Sequence, residues 1–190
     1  MEAFSDGVLA IIITIMVLGI RVPDGYDLDS LKPLVPVFIS YVLSFIYLGI
    51  YWNNHHHMMH TVKNVTGSIL WANLHLLFWL SLIPFATGWV GETYFKPVPM
   101  AIYGIILFMA GTAYYILQTL ILKAHGPDSI LAKAIGKDLK GKASPILYVI
   151  GIISGLFTPW IAGAIYIFVA FIWLVPDKRI EIIFRNDPGS

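Results

Sequence analysis

The sequence predicts an all-α, polytopic membrane protein with six transmembrane helices. Of its 190 residues, 58% are hydrophobic and 12% are charged. Because soluble domains usually carry about 25% charged residues, this chain lacks the charged surface that such domains present to water. The net charge of +1 gives no reason to expect a nucleic-acid partner, and the lack of cysteine excludes thiol catalysis and Cys-based metal centres.

Five apolar runs give the order of the predicted helices. These runs are 7–20, 34–52, 69–90, 98–122 and 146–175. The last run has 30 residues, enough for one long tilted helix or for two short ones. Thr158-Pro159 lies near its middle, with Gly155 before it and Gly163 after it, and this pattern favours a tight hairpin of two helices. Residues 1–190 are therefore predicted to form a single six-helix transmembrane domain.

The distribution of basic residues provides a check on the number of spans. With six spans, nine of the twelve Lys and Arg residues lie on the same side as the N-terminus. These nine are Lys63, Lys123, Lys133, Lys137, Lys140, Lys142, Lys178, Arg179 and Arg185. Because cytoplasmic loops carry an excess of basic residues, both termini are predicted to be cytoplasmic. Five spans would divide the basic residues six to six, so the count favours six.

The first apolar run is unusually short and begins beside an acid. Its 14 residues make about 21 Å of helix, whereas the hydrocarbon core of a bilayer is about 30 Å thick. To span the bilayer, the helix must take Phe4, Ser5 and Asp6 to the membrane's edge or inside it. A carboxylate at membrane depth costs roughly 2.5–3.5 kcal/mol on insertion scales, so Asp6 is expected to face protein and find partners.

The first helix has two different faces. At about 100° per residue, one face carries Phe4, Gly7, Ile11, Ile15 and Leu18, with Thr14 at its edge. Asp6 falls on roughly the opposite side. On pattern alone, such an aliphatic row is more commonly lipid-facing or part of a core. The residues by themselves therefore indicate a channel or a transporter and no more.

Polar residues at the end of the second run are the predicted partners of Asp6. They are Asn53, Asn54, His55, His56 and His57. The predicted topology places them on the same side of the membrane as Asp6, where they offer several hydrogen-bond donors. An alternative, compatible with this one, is that Ser5 and Asp6 cap the N-terminus of the first helix.

The histidine cluster raises the question of a metal site. His56 and His60 are four residues apart and share a helical face if the helix continues, as zinc ligands do. A fixed site needs a third or fourth ligand, and the remaining histidines, His75 and His125, stand alone. We therefore expect no fixed metal and no cofactor, and an intramembrane metalloenzyme is the less favoured hypothesis. No nucleophile elbow, paired intramembrane carboxylates or phosphate loop indicates an enzyme.

Other polar residues fall inside the apolar runs. Asn73, His75 and Gln118 are expected to join helices through hydrogen bonds, or alternatively to line a substrate path. Trp52 lies near a predicted span end, as the tryptophans of an interfacial aromatic belt do.

Several segments together resemble the transmembrane protein 175 family of potassium channels. These segments are Phe4-Ser5-Asp6 opening an Ile-rich helix, 52–57, 73–87 with Pro84-Phe85, Gly91-Glu92 and 173–181. The resemblance extends over nearly the whole chain, and it is specific in combination. The family usually has an arginine four residues before the Phe. That position would precede Met1, so we expect the chain to be truncated there or to lack the arginine.

The resemblance implies a six-helix subunit, a homotetramer in bacterial members, and a central pore surrounded by the four first helices. It implies a constriction at Ile11, a hydroxyl position at Thr14 and further apolar rings at Ile15 and Leu18. It also implies that Phe4, Ser5 and Asp6 pack against the second helix rather than line the pore. The expected setting is the lipid bilayer of a bacterial plasma membrane.

The sequence therefore predicts a potassium-preferring cation channel in which monovalent cations pass a hydrophobic constriction, with K⁺ bound only transiently. The alternative is a small secondary transporter or exporter with a polar site on the third and fourth helices, formed by Asn73, His75 and Gln118.

Overall fold

The computed structural model describes residues 1–126, 129, 131–132 and 139–174, and its regular elements there are helices without any strand. The α-helices are α1 Glu2–Val17, α2 Val35–His60, α3 Gly67–Ser81, α4 Ile83–Glu92, α5 Pro97–His125, α6 Leu139–Phe157 and α7 Pro159–Leu174. A 3₁₀ helix, Leu28–Leu34, precedes α2. The predicted all-α membrane class is confirmed. Among the counted basic residues, Lys133, Lys137, Lys178, Arg179 and Arg185 lie outside the described residues.

In the part of the chain that the structure describes, three helical segments are long and apolar enough to cross a membrane. They are Leu28–His60, Gly67–Glu92 and Pro97–His125. Pro159–Leu174 is a shorter apolar helix, and α1 has 16 residues. The described residues thus give several apolar spans, while the count of six stays a prediction.

Two helix boundaries differ from the apolar runs. The second helix does not end at Trp52 but continues to His60, because His55, Met58 and Met59 are buried against the bundle. The third run is broken at Leu82, two residues before Pro84. Proline has no N–H to donate and its ring crowds the carbonyl of the preceding turn, which explains the break.

The last apolar run is two helices, as the Thr158-Pro159 pair predicts. α6 ends at Phe157 and α7 begins at Pro159, where a proline is favourable because the first N–H of a helix has no partner. The two helices pack against each other, and Trp173 near the end of α7 donates to the Ser144 hydroxyl near the start of α6, at 2.8 Å. This is a hairpin.

Tyr166 of α7 marks the centre of the bundle. Its hydroxyl donates to the Met100 carbonyl at 3.2 Å, and its own carbonyl accepts from the Tyr47 hydroxyl. Gly104 of α5 and Gly151 of α6 face its ring so closely that an added Cβ would overlap it. The buried core extends from there through α3 and α4 to α1, whose Leu9, Ile12 and Met16 belong to it. The α1 helix packs against α2, α3 and α4.

Candidate functional site

The α1 helix is buried on one side only. Its inner face consists of Ser5, Leu9, Ile12 and Met16, all buried in the bundle. Its outer face is exposed and consists of Phe4, Gly7, Ile11, Thr14, Ile15 and Leu18. Ile11 is 57% exposed, and Leu18 is 78% exposed. The residues predicted to share a face therefore lie together on the outside of the chain.

Thr14 is the polar member of the outer face. Its hydroxyl lies 2.9 Å from the Ala10 carbonyl and 3.0 Å from the Ile11 carbonyl, so its proton is donated within α1. Threonine in a helix commonly bonds to its own backbone in this way. The lone pairs of the hydroxyl oxygen are then left to accept from, or coordinate, whatever faces α1.

The inner face of α1 is held by a buried polar bridge. The Asn73 amide of α3 donates to the Ser5 hydroxyl at 2.9 Å, and the Asn73 amide oxygen lies 2.7 Å from Nε2 of His55 on α2. Because that oxygen only accepts, the network assigns the proton of His55 to Nε2. All three side chains are buried. One asparagine thus ties α1, α2 and α3 together.

Asp6 has partners on α2 that only partly match the prediction. Its carboxylate accepts from the Trp52 indole N–H at 3.1 Å and lies 3.5 Å from Nδ1 of His56. Trp52, predicted to belong to an interfacial belt, is also stacked on the His56 ring. The sequence therefore did not predict the indole of Trp52 as a donor to Asp6, because this contact depends on how α1 and α2 are rotated about their axes.

The remaining residues of the predicted network are placed differently. Asn54 donates to the Ile50 carbonyl of its own helix at 2.8 Å, and Asn53 is half-buried. Among the described residues, no hydrogen bond joins either asparagine to Asp6. His57 is half-buried with its ring beside that of His56, and Phe4 lies on the outer face of α1. Phe4 therefore does not pack into the inner face with Ser5.

The polar residues of the alternative transporter site lie in three different surroundings. Asn73 belongs to the buried bridge to α1, and His75 accepts from the Trp79 indole of its own helix at 2.9 Å. Gln118 lines a cavity of about 330 Å³ between α2, α5 and α6. Their hydrogen-bonding groups do not converge on one point. Asn73 joins helices, His75 bonds within its own helix, and Gln118 lines a cavity.

These features define a class: an all-helical integral membrane protein in which one helix is anchored on its inner face and left open on its outer face. The family model of "Endosomal/lysosomal potassium channel TMEM175" matches residues 1–84. A curated potassium channel of Chryseobacterium sp. (strain P1-3) is 58% identical over 181 residues, which cover 95% of this chain and 94% of that protein.

Two further relatives also carry the name TMEM175. The crystal structure of a lysosomal potassium-selective channel TMEM175 homolog from Chamaesiphon minutus superposes with a TM-score of 0.78 at 26% identity, covering 90% of this chain and 93% of that one. The mouse endosomal/lysosomal proton channel TMEM175 is 33% identical over 97 residues, 45% of this chain and 19% of the mouse protein. The chain belongs to the TMEM175 family, as a bacterial member, and this is a family of ion channels rather than of enzymes.

Proposed function

We propose that this chain is the subunit of a potassium-preferring cation channel, a homotetramer in which α1 of every copy lines a central pore. The observation that carries the proposal is the outer face of α1: it is exposed and apolar except for Thr14, while the inner face is buried and attached through Ser5. The naming of the Chryseobacterium and Chamaesiphon relatives as potassium channels supports the choice of ion.

In this proposal the narrowest part of the pore is a ring of four Ile11 side chains. Apolar constrictions gate by excluding water, since an ion must lose part of its hydration shell to pass. Ile15 and Leu18 lie one and two turns further along the same face and form wider apolar rings. The preference for K⁺ follows from the smaller cost of partial dehydration for the larger ion.

Thr14 supplies the oxygen contacts that an aliphatic ring lacks. Because its hydroxyl proton is donated to the helix backbone, four Thr14 oxygens would direct lone pairs towards a passing cation. K⁺ is held there only transiently, and the channel needs no fixed cofactor. Residues 1–190 would act as one six-helix channel domain in the bacterial plasma membrane, with both termini in the cytoplasm.

The polar residues at the start of α1 serve to attach this helix to its own subunit. Ser5 and Asp6 carry the attachment through Asn73, Trp52 and His56, three side chains from α2 and α3. His55 belongs to the same bridge through its bond to Asn73. Asn53, Asn54 and His57 lie at the same end of α2, whereas Phe4 lies on the outer face of α1. A helix fixed on one side in this way keeps its other side in a constant position facing the pore.

The test is Ile11→Asn in protein reconstituted into vesicles. A ring of four amides is wetter than a ring of four isoleucines, so the K⁺ over Na⁺ preference of the flux should fall and the total cation flux should rise. Ile153→Asn is the matched control: Ile153 of α6 is 56% exposed, close to the 57% of Ile11, but lies on another helix. It should leave the selectivity unchanged. Equal selectivity in wild type and Ile11→Asn would remove Ile11 from the constriction.

The oligomeric state and the permeant ion need separate measurements. Native mass spectrometry of the detergent-solubilised protein should give four copies, and a monomer would refute the pore. Because the mouse relative is named a proton channel, proton flux should be recorded in the same vesicles. A proton current larger than the K⁺ current under matched gradients would overturn the proposed preference.

A further inference from the structure

Three side chains with metal-binding groups meet where the start of α1 passes the end of α2. One carboxylate oxygen of Glu2 lies 3.2 Å from Nδ1 of His56 and 3.1 Å from Nε2 of His60. The Nε2 atoms of the two histidines are 3.1 Å apart. Two ring nitrogens at that distance need a proton or a cation between them, because two lone pairs repel each other.

The sequence explains how this cluster forms. His56 and His60 are four residues apart on α2, so their rings lie on one helical face. Glu2 is in the first turn of α1, and the buried Ser5–Asn73 bridge fixes that turn beside α2. The third ligand that the histidine motif lacked therefore comes from a different helix, at a position where no spacing rule points to it.

The geometry suits a zinc-like ion. The ligand atoms of Glu2, His56 and His60 all lie within 4.8 Å of one another. With metal–ligand bonds of about 2.1 Å at tetrahedral angles, neighbouring ligand atoms lie about 3.4 Å apart. Nε2 of His60 lies 3.1 Å from the Glu2 oxygen and 3.1 Å from Nε2 of His56, both close to that value, so Nε2 is the His56 nitrogen that would bind the metal. Two histidines and one glutamate form a three-ligand set that leaves a fourth position for water.

The surroundings also favour a cation. Asp6 directs a second carboxylate towards His56, with its oxygen 3.5 Å from Nδ1, and such a group orients a metal-binding ring. Nδ1 of His56 is buried yet makes no hydrogen bond of good geometry. Within the described ranges, the ion pairs of Glu2 and Asp6 involve histidines and no lysine or arginine. A divalent ion would neutralise both carboxylates.

We propose that Glu2, His56 and His60 bind a divalent transition-metal cation of the zinc class, and that this ion clamps the start of α1 to the end of α2. The binding site itself does not depend on the proposed function. Only an effect on flux would depend on it, because a clamp at the start of α1 acts on a pore only where α1 lines that pore.

The binding test uses purified protein and Zn²⁺ alone. Isothermal titration after removal of metal should give one Zn²⁺ per chain, and bound zinc should raise the unfolding temperature. His60→Ala and Glu2→Gln should each weaken binding at least about tenfold. His75→Gln is the control, because His75 is bonded to Trp79 on α3 and lies outside the cluster. Its affinity should equal that of wild type.

The outcomes separate this inference from the proposed function. Wild-type affinity in both His60→Ala and Glu2→Gln, or no zinc binding by the intact protein, overturns the metal site even if vesicles conduct K⁺. Zinc binding that depends on these residues in protein that conducts no cation supports the site and refutes the channel instead. The unfolding temperature of each variant is also measured without metal. A value equal to that of metal-free wild type shows that a loss of binding is not caused by misfolding.

Discussion

Leu9 and Leu18 show how differently the two faces of α1 are used. They are nine residues apart, two and a half helical turns, so they lie on opposite sides of one helix. Leu9 is completely buried against the bundle, whereas Leu18 is 78% exposed. Identical side chains on one helix thus meet opposite surroundings, and hydrophobicity alone does not tell them apart.

Substitutions on the two faces of α1 are expected to affect different properties of the protein. The inner face is fitted to α2, α3 and α4, so a change there alters the stability of the chain's own fold. The outer face is exposed in its own chain, so a change there is expected to alter assembly or ion flux. Substitutions on the two faces are therefore the direct way to test this division.

The largest effect is expected from Leu9→Ala. Removing a fully buried leucine side chain leaves a cavity, and such changes cost about 2–5 kcal/mol. The unfolding temperature in detergent, followed by tryptophan fluorescence, should fall by many degrees. Leu9→Met keeps the volume and should cost less than about 1.5 kcal/mol. If both variants melt like wild type, the inner face is not the packed one.

A smaller loss is expected from Asn73→Leu, which tests whether the inner face depends on polar contacts as well as packing. Leucine has a similar size but its side chain cannot form hydrogen bonds, so the Ser5 hydroxyl and the His55 ring lose their shared partner. Hydrogen bonds between membrane helices contribute about 0.6–2 kcal/mol, so the free energy of unfolding should fall by about 1–2 kcal/mol.

A double-mutant cycle identifies the source of that loss. Ser5→Ala combined with Asn73→Leu should cost clearly less than the sum of the two single changes, because both remove the same bond. Asn53→Leu is the control, since Asn53 is half-buried and makes no hydrogen bond to Asp6. If the costs of Ser5→Ala and Asn73→Leu in free energy of unfolding simply add in the double variant, the two side chains act independently.

Much of the fold could be predicted from the sequence, because apolar runs and helical periodicity depend on one segment at a time. The hairpin break at Thr158-Pro159 and the grouping of Ile11, Ile15 and Leu18 on one face both follow from local rules. The break at Leu82 was missed because Pro84 is tolerated within membrane helices, so its presence alone does not reveal a break.

The contacts between helices were harder to predict. Asn73 was expected to join helices, yet its partners Ser5 and His55 depend on how three helices are rotated about their axes. The same holds for Trp52 beside Asp6 and for Glu2 beside the histidines. Periodicity gives the face of each helix but not the neighbour that it meets.

The smallest effect on stability is expected from Leu18→Ala. This variant compares the outer face of α1 directly with the inner face, where Leu9→Ala makes the same change. Leu18 is largely exposed at the end of α1, so shortening it should change the free energy of unfolding by less than about 0.5 kcal/mol. The same substitution at Leu9 removes the same atoms from a buried position. The difference between the two unfolding temperatures therefore measures what the inner face contributes.

The flux of the same variant decides what the outer face is for. If four Leu18 side chains form an apolar ring that limits the flux, alanine widens it, and the K⁺ flux in vesicles should rise while the protein remains a folded tetramer. A lipid-facing Leu18 predicts no change in flux at any gradient. A loss of stability as large as that of Leu9→Ala would instead mean that Leu18 is packed in the assembly, and the outer face would then be an interface between subunits rather than the lining of a pore.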